Sequence, residues 1–597
     1  MTRTTGPGLF QPHTLALAIA LGISAPAQAI NFNIGEIEGQ FDSSLSIGAS
    51  WSMRSPDRDL IGPNNGGQGQ AQTGDDGRLN FKKGETFSKI FKGIHDLELK
   101  YGDTGAFVRG KYWYDFELKD ESRLFKDIDD SNRKEGAKSS GAEILDAFLY
   151  HNYAIGDLPG TVRVGKQVVS WGESTFIGNS INAINPIDVA AFRRPGAEIK
   201  EGLIPVNMLY LSQSLTDRLS MEAFYQLEWD QTILDNCGTF FSTADVAADG
   251  CDNGYHIGSP AIAPLQPIAA AFGQGFRVDS EGVILPRAGD RDARDSGQWG
   301  LALRWLGDET EYGAYFINYH SRTPIVSTQN AGLATLAALP GIIGTANGIA
   351  PGSGAGLAQS VMLGNGRYYL EYPEDIRLYG LSFSTTLPTG TAWAGEVSYR
   401  PNLPLQINTT DMTLSLLNPI APGTAPVAAG PGQDNVGYRR KEVTQVQTTF
   451  THFFDQVMGA GRFTLVGEIG MAHVGGLESR DDLRYGRDSL FGAYGFRGDT
   501  HGFVTSTSWG YRVRGIWEYS NVFAGVNLRP NVSWSHDVDG YGPNGLFNEG
   551  AKAVSFGVDA DYRNTYTASL SYTDFFGGKY NTAVDRDFLA LSFGVSF

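Results

Sequence analysis

The densest run of residues able to act on a solute is GKQVVSWGESTFIGNSINAINPIDVAAFRRPGAEIKEGLIPV, at 165–206. Its turn formers, Asn185-Pro186, Arg194-Pro195, Gly196 and Pro205, fold the segment back on itself. Folded into a lumen, it would present Trp171, Glu173, Arg193 and Arg194 as the lining of a constriction; the same turn residues also suit an ordinary surface loop. Lys166 follows Gly165, but the glycine spacing of a phosphate-cradling loop is missing and no Ser or Thr follows the lysine, so that chemistry is excluded. Nine histidines are present. His320 and His473 close alternating segments and His151 and His452 lie within them, which reads as polar rim and wall residues. A hydrolase needs a base placed beside a nucleophile. No such pairing is expected, and the chain is read as a non-enzyme without cofactor or metal. Cys237 and Cys251 share one long connection and have no neighbouring His for a metal site, so a disulfide that staples the connection is expected.

These residues must be positioned by strands. A period-two template picks out eighteen segments, each with an apolar, often aromatic face and a polar one. In AFVRGKYWYDFEL, Val108, Tyr112, Tyr114 and Phe116 oppose Arg109, Lys111, Asp115 and Glu117. Eight pairs are joined by short turns such as GDTG, GDLPG and GDET. Nine long connections, at roughly 54–91, 119–143, 171–205, 230–297, 321–374, 402–440, 474–505, 537–551 and 575–587, separate the pairs. Short turns at one rim, long loops at the other and an even strand count describe an outer-membrane antiparallel β-barrel. Eighteen strands fit best, with sixteen as the alternative. In lipid every backbone group must be paired, so a sheet can cross only when closed.

Both ends of the chain agree with this. FLALSFGVSF sets Leu589, Leu591, Phe593, Val595 and Phe597 on one face, a final strand expected to pair with the first and to be read by the assembly machinery through Phe597. At the other end an apolar run, Leu15 to Ile23, precedes APAQA. Residues 1–29 read as a cleaved signal, with cleavage near Ala29 and the barrel over 30–597. The first strand near Phe41 leaves no room for the plug of an energised receptor. A net charge of −18 argues against nucleic acid as a partner; outer-membrane lipid is the expected one.

If the apolar row faces lipid, the polar row faces a lumen wide enough for water. It carries both signs: Arg109, Lys111, Arg163, Arg304, Arg377, Arg512 and Arg514 against Asp115, Glu222, Glu228, Glu396, Glu468, Glu518, Asp559 and Asp561. These charges either neutralise one another along a hydrated wall or, as with Arg512 and Arg514, leave a basic patch that attracts anions. Two loops are apolar, 259–276 and 330–364, the second with Leu333, Leu336 and Leu339 at helical spacing. They pack on each other or form a capture site for an apolar solute. Channel, sealed scaffold and diffusion porin remain open, a channel for small hydrophobic or amphipathic organic compounds being preferred.

The block at 165–210, DDGRLNFKKG at 75–84 and LSMEAFYQLEW at 219–229 resemble the proteobacterial outer-membrane family named domain of unknown function 1302, over essentially the whole mature chain. The resemblance implies an outer-membrane barrel of this length, associated with exporters of the RND type and with hydrophobic compounds such as steroids. A periplasmic or inner-membrane transport partner at the short-turn rim is therefore an expectation. The family carries over no catalytic residues.

Overall fold

The computed structural model describes residues 30–492 and 500–597; the proposed signal segment lies outside the described residues. Eighteen strands form one closed antiparallel barrel. The first seven are β1 Ile37–Ser52, β2 Thr86–Tyr101, β3 Thr104–Asp115, β4 Ser140–Ile155, β5 Leu158–Gln167, β6 Val206–Ser214 and β7 Leu219–Gln226. Next come β8 Trp299–Leu306, β9 Thr310–Tyr319, β10 Ile376–Thr386, β11 Ala392–Gln406, β12 Tyr438–Asp455 and β13 Arg462–Gly475. The circuit ends with β14 Thr507–Phe523, β15 Val526–Asp539, β16 Lys552–Tyr562, β17 Tyr566–Phe576 and β18 Phe588–Ser596.

Closure is made by β1 and β18, in register from Ser44↔Ser596 to Ser52↔Phe588. Phe597 completes the seam by exchanging backbone hydrogen bonds with Ser43 at 2.6 and 2.8 Å. Below that point β1 would show an unpaired edge; a short strand, Ile30–Ile34, covers it, pairing Ile34↔Ile37 through Ile30↔Phe41.

All eighteen strands coincide with alternating segments of the sequence. The outward face is apolar and exposed, as at Leu149, Leu381, Ile469, Phe556 and Phe593, which lipid solvates and water does not. Near the short turns this face becomes aromatic through cross-strand pairs: Trp305 stacks on Tyr312, Trp393 on Phe450 and Phe463 beside Trp517. Such a belt marks the level of the membrane interface. Among the described residues no helix is long and apolar enough to cross a membrane; the strands make the crossing.

Two details differ from the sequence reading. The alternation of SWGYRVRGIWEY and FAGVNLRPNVSW puts the turn between them at 520–522, whereas it lies at Ala524-Gly525, where φ is +49° and +87°. That pair of left-handed residues gives the tight hairpin its twist, and a register shift between Tyr519 and Phe523 takes up the extra residues. Arg377 shares its face with Tyr379 and Leu381 and is exposed on the outside of the barrel. It stands at the loop-side rim, where a cation meets water and headgroups and not hydrocarbon.

The apolar loops are folded. Helices α1 Leu333–Ile349 and α2 Gly354–Asn365 pack against the segment 255–285 around Tyr255, Phe276, Leu285, Leu339, Ile342 and Val361. The two loops thus bury their apolar residues in each other.

Candidate functional site

The third long loop, 168–205, does not stay outside the barrel. It enters the lumen, which carries its backbone N–H and C=O groups away from bulk water and obliges the wall to satisfy them. Wall side chains do so at every stage. At the entrance Trp171 packs its ring 5.1 Å from Phe224 and 5.9 Å from Tyr315, and its Nε1 donates to Glu222 at 2.7 Å. It is 1% exposed. Trp171 therefore fixes the loop to the wall and faces no open passage: a large flat apolar ring gains more from that contact than from water.

The loop then crosses to β11–β13. Glu468, 1% exposed, accepts the backbone N–H groups of Thr175, Phe176 and Ile177 at 3.0, 2.6 and 2.7 Å. Glu396 accepts those of Glu173 and Ile181. Gln445 and Gln447 donate to the carbonyls of Gly178 and Ile177 at 2.9 and 3.0 Å, and Arg400 donates to that of Ser180. Each wall group is matched in kind: carboxylates meet N–H groups, while amides and guanidinium meet C=O. Ile181 and Ile184 pack on Ala302, Tyr315, Ile317 and Leu378 of β8–β10. Burial pushes the half-buried Glu173 carboxyl above its ordinary value, with the Arg304 guanidinium opposing the shift.

On its return the loop is held by cations of β2 and β3. Lys111 reaches Asp188 at 3.2 Å and the Glu201 carbonyl at 3.0 Å; Lys92 reaches Glu201 at 2.6 Å and the Gly196 carbonyl at 2.8 Å. Pro195 lies over Gly48 of β1, where an added Cβ would approach it to 2.7 Å. Arg193 pairs with Asp235 at 3.2 Å and stacks on Phe241; Arg194 stacks on Trp113 at 4.4 Å and donates to the Gly136 carbonyl. Both arginines thus clasp neighbouring loops.

The polar attachments of the loop are one-sided. Among the described residues no hydrogen bond or ion pair joins 168–205 to β14–β17, whose lumen faces carry Arg512, Arg514, Asn531, Ser533 and Asp559. The loop turns apolar side chains away from the wall: Phe176 is 39% exposed, Phe192 40% and Ile199 74%. Sequence reasoning passed over these three because they alternate with the polar residues that drew attention. Above the loop lies a cavity of about 560 Å³ lined by Asn179, Asn182, Tyr255, Arg322, Ile325 and Val443, among others. Tyr255 also belongs to the apolar cluster under α1 and α2, so the cap forms part of this chamber's wall.

The remaining candidates have distinct fates. Arg109 is paired with Asp96 at 2.7 and 2.8 Å and with Asp146 at 3.2 Å. Arg163 stacks on Tyr210 at 4.0 Å. Arg512 is paired with Asp537 at 2.6 Å and Glu518 with Arg462 at 2.8 Å; the buried Nε of Arg514 has no hydrogen-bond partner among the described residues. Leu339 is buried, Leu336 half-buried and Leu333 73% exposed. Cys237 and Cys251 are joined by a disulfide, with Cα atoms 6.2 Å apart. His320 has both ring nitrogens engaged, with Ser296 O at 2.9 Å and Asp375 N at 3.0 Å.

Among solved structures, the chain is similar to Acinetobacter baumannii OccAB3, at 9% identity and a TM-score of 0.41 over 94% of this chain and 99% of that one. It is similar to Pseudomonas aeruginosa OpdK with vanillate, at 8% and 0.37 over 93% and 98%. It is also similar to Salmonella typhi OmpF in complex with daunomycin, at 9% and 0.34 over 95% and 100%. No curated protein matches. The family model described as "Protein of unknown function (DUF1302)" matches residues 11–597.

Proposed function

The chain belongs to the DUF1302 family, and we propose that it is an outer-membrane channel for small hydrophobic or amphipathic organic compounds. The observation that carries this reading is a set of exposed apolar side chains on a loop that enters a polar-walled barrel. The inserted loop offers Phe176, Phe192 and Ile199; the lumen wall of β14–β17 offers arginines, carboxylates and small polar groups. A solute with an apolar body and a polar end can slide its body along the loop while the wall replaces the hydration of its polar end. A sugar gains nothing from the greasy side. The solute enters by way of the chamber above the loop, whose Tyr255, Ile325 and Val443 stand among Asn and Arg side chains. Work with an exporter on the periplasmic side belongs to the same proposal.

A second reading, an anion-preferring diffusion porin, draws on Arg109, Arg512 and Arg514, the last with a buried Nε that has no hydrogen-bond partner among the described residues. One experiment separates the two. Purified barrel is inserted in a planar bilayer, and the current is recorded in concentrated salt with and without a small aromatic carboxylate or a neutral sugar of similar size. The channel reading expects ohmic steps that the aromatic compound interrupts and the sugar does not, with the interruption shortened in Phe192→Ser and Ile199→Ser. Equal behaviour of the two solutes, unchanged in both variants, leaves the diffusion porin. Silence from demonstrably inserted protein rejects both.

A further inference from the structure

The first and fourth long loops meet around buried carboxylates. Asp75, Asp76 and Asp245 are 0%, 6% and 2% exposed, and one carboxylate oxygen from each lies within 4.8 Å of the other two. The two loops are locked in register here, Asp245 N donating to Thr73 O at 2.8 Å.

Hydrogen bonds account for only part of the acceptor capacity. Asp75 Oδ2 takes Gly62 N at 2.8 Å and Asn65 Nδ2 at 3.0 Å, and Asp245 Oδ2 takes Asp76 N at 3.1 Å. Lys126 Nζ spans both oxygens of Asp76, at 2.9 and 3.1 Å, and reaches Glu281 at 2.6 Å. The Oδ1 atoms of Asp75 and Asp245 are buried and have no partner. Two orphaned anionic oxygens in one dry cluster are costly unless a cation completes them.

The charges point the same way. Asp75, Asp76, Asp245 and Glu281 face one another with Lys126 as the cation in contact, and the Arg586 guanidinium stands within electrostatic reach of Asp245. Arg78 is spent on Asp585, and His256 on Asp279. Four carboxylates against one lysine and one arginine leave two negative charges, those of one divalent cation. The donors are all oxygen, which selects hard ions. Calcium accepts an irregular shell of carboxylate oxygens, whereas magnesium demands a near-ideal octahedron and gives up its water reluctantly.

We infer that Asp75, Asp76 and Asp245 form a calcium site that fastens the first long loop to the fourth, on the loop side of the barrel. Asp75 and Asp245 supply the free Oδ1 atoms, and Asp76 a third oxygen for which Lys126 competes.

The test uses the full-length folded barrel in detergent, stripped of divalent ions with chelator and titrated with calcium by calorimetry and by equilibrium dialysis with radioactive calcium. The expected result is one saturable ion per chain, tenfold or more weaker with magnesium, and tenfold or more weaker for calcium in both Asp75→Asn and Asp245→Asn. Calcium should also slow protease cleavage within 53–85 and 227–298. Folding of each variant is checked by its heat-modifiable mobility on gels. Lys126→Met serves if an aspartate variant does not fold: loss of the competing cation should tighten binding. Absence of a saturable site, binding untouched by the aspartate substitutions, or binding unchanged or weaker in Lys126→Met overturns the assignment.

Discussion

If Glu468 is what holds the first leg of the lumen loop in place, replacing it should widen the passage without unfolding the barrel. Its two oxygens accept three consecutive backbone N–H groups, from Thr175 to Ile177. A hydrogen bond to a charged group contributes about 1.5–3 kcal/mol, so Glu468→Ala removes about 4–9 kcal/mol of loop attachment if no water replaces the carboxylate. The adjoining lumen is wet, and water entering the vacated site recovers roughly half of this by the same hydrogen-bond energetics, leaving about 2–5 kcal/mol. At about 1.4 kcal/mol per tenfold, the docked-to-released equilibrium of segment 175–178 shifts by about 30- to 3,000-fold. Gln445 and Gln447 still hold Gly178 and Ile177, so the segment swings out transiently and the rest of the loop stays. Single-channel recording should show Glu468→Ala visiting a larger conductance that the wild type rarely reaches. Glu468→Gln keeps one acceptor oxygen and turns an amide toward an N–H; it should fall between the two. The barrel strands pair independently of this residue, and heat-modifiable mobility should be normal in all three proteins. Wild-type conductance and noise in a folded Glu468→Ala barrel would refute the reasoning.

Other expected outcomes are more local. Neutralising Arg512 should move the reversal potential toward cations at least as far as neutralising Arg514, because it also leaves Asp537 uncompensated; a smaller shift for Arg512→Gln means the pair is not formed in the open channel. Acidification should raise anion preference earlier than an ordinary glutamate would dictate, since the Glu173 carboxyl is held above its usual value by burial and so loses its negative charge at higher pH; the same pH profile in Glu173→Gln rules that residue out. Leu339→Ala should loosen the loop cap by about 2–4 kcal/mol, as expected for a buried leucine, while Leu333→Ala, at a 73% exposed position, should stay within about 0.5 kcal/mol; protease susceptibility of 330–364 measures both. Cys237→Ser with Cys251→Ser removes a cross-link over a sequence separation of 14, by chain entropy about 3 kcal/mol, and should expose the fourth loop to proteases with the barrel intact.

The barrel was legible because lipid enforces a local rule. Each strand must alternate within itself, so Val108 through Tyr112 or Leu589 through Phe597 can be assigned with no knowledge of their partners. The lumen follows no such rule. Arg109, Lys111 and Arg514 carry like charge on strands that read alike, yet Arg109 is cancelled by the wall, Lys111 grips the inserted loop and Arg514 keeps a buried Nε without a partner among the described residues. Their fates are decided by partners far along the chain: Lys111 meets Asp188 across 77 residues and Glu468 meets Thr175 across 293. Trp171 shows the same limit from the loop's side. Its type and place in a turn-rich segment fit a lining residue equally well, and only Phe224, Tyr315 and Glu222, brought round by the closed sheet, make it an anchor.

A consequence follows for reading such barrels. The wall residues that shape the passage are those matched to backbone groups of the inserted loop, and they need not touch a solute at all. Glu396 and Glu468 are buried beneath the segment they hold, while the surface the proposed channel would offer a solute is what the loop turns away from them, Phe176, Phe192 and Ile199. Selectivity in this architecture is set by which face of the loop the wall claims, so a substitution at a buried wall carboxylate should alter permeation more than one at an exposed lumen charge of the same sign.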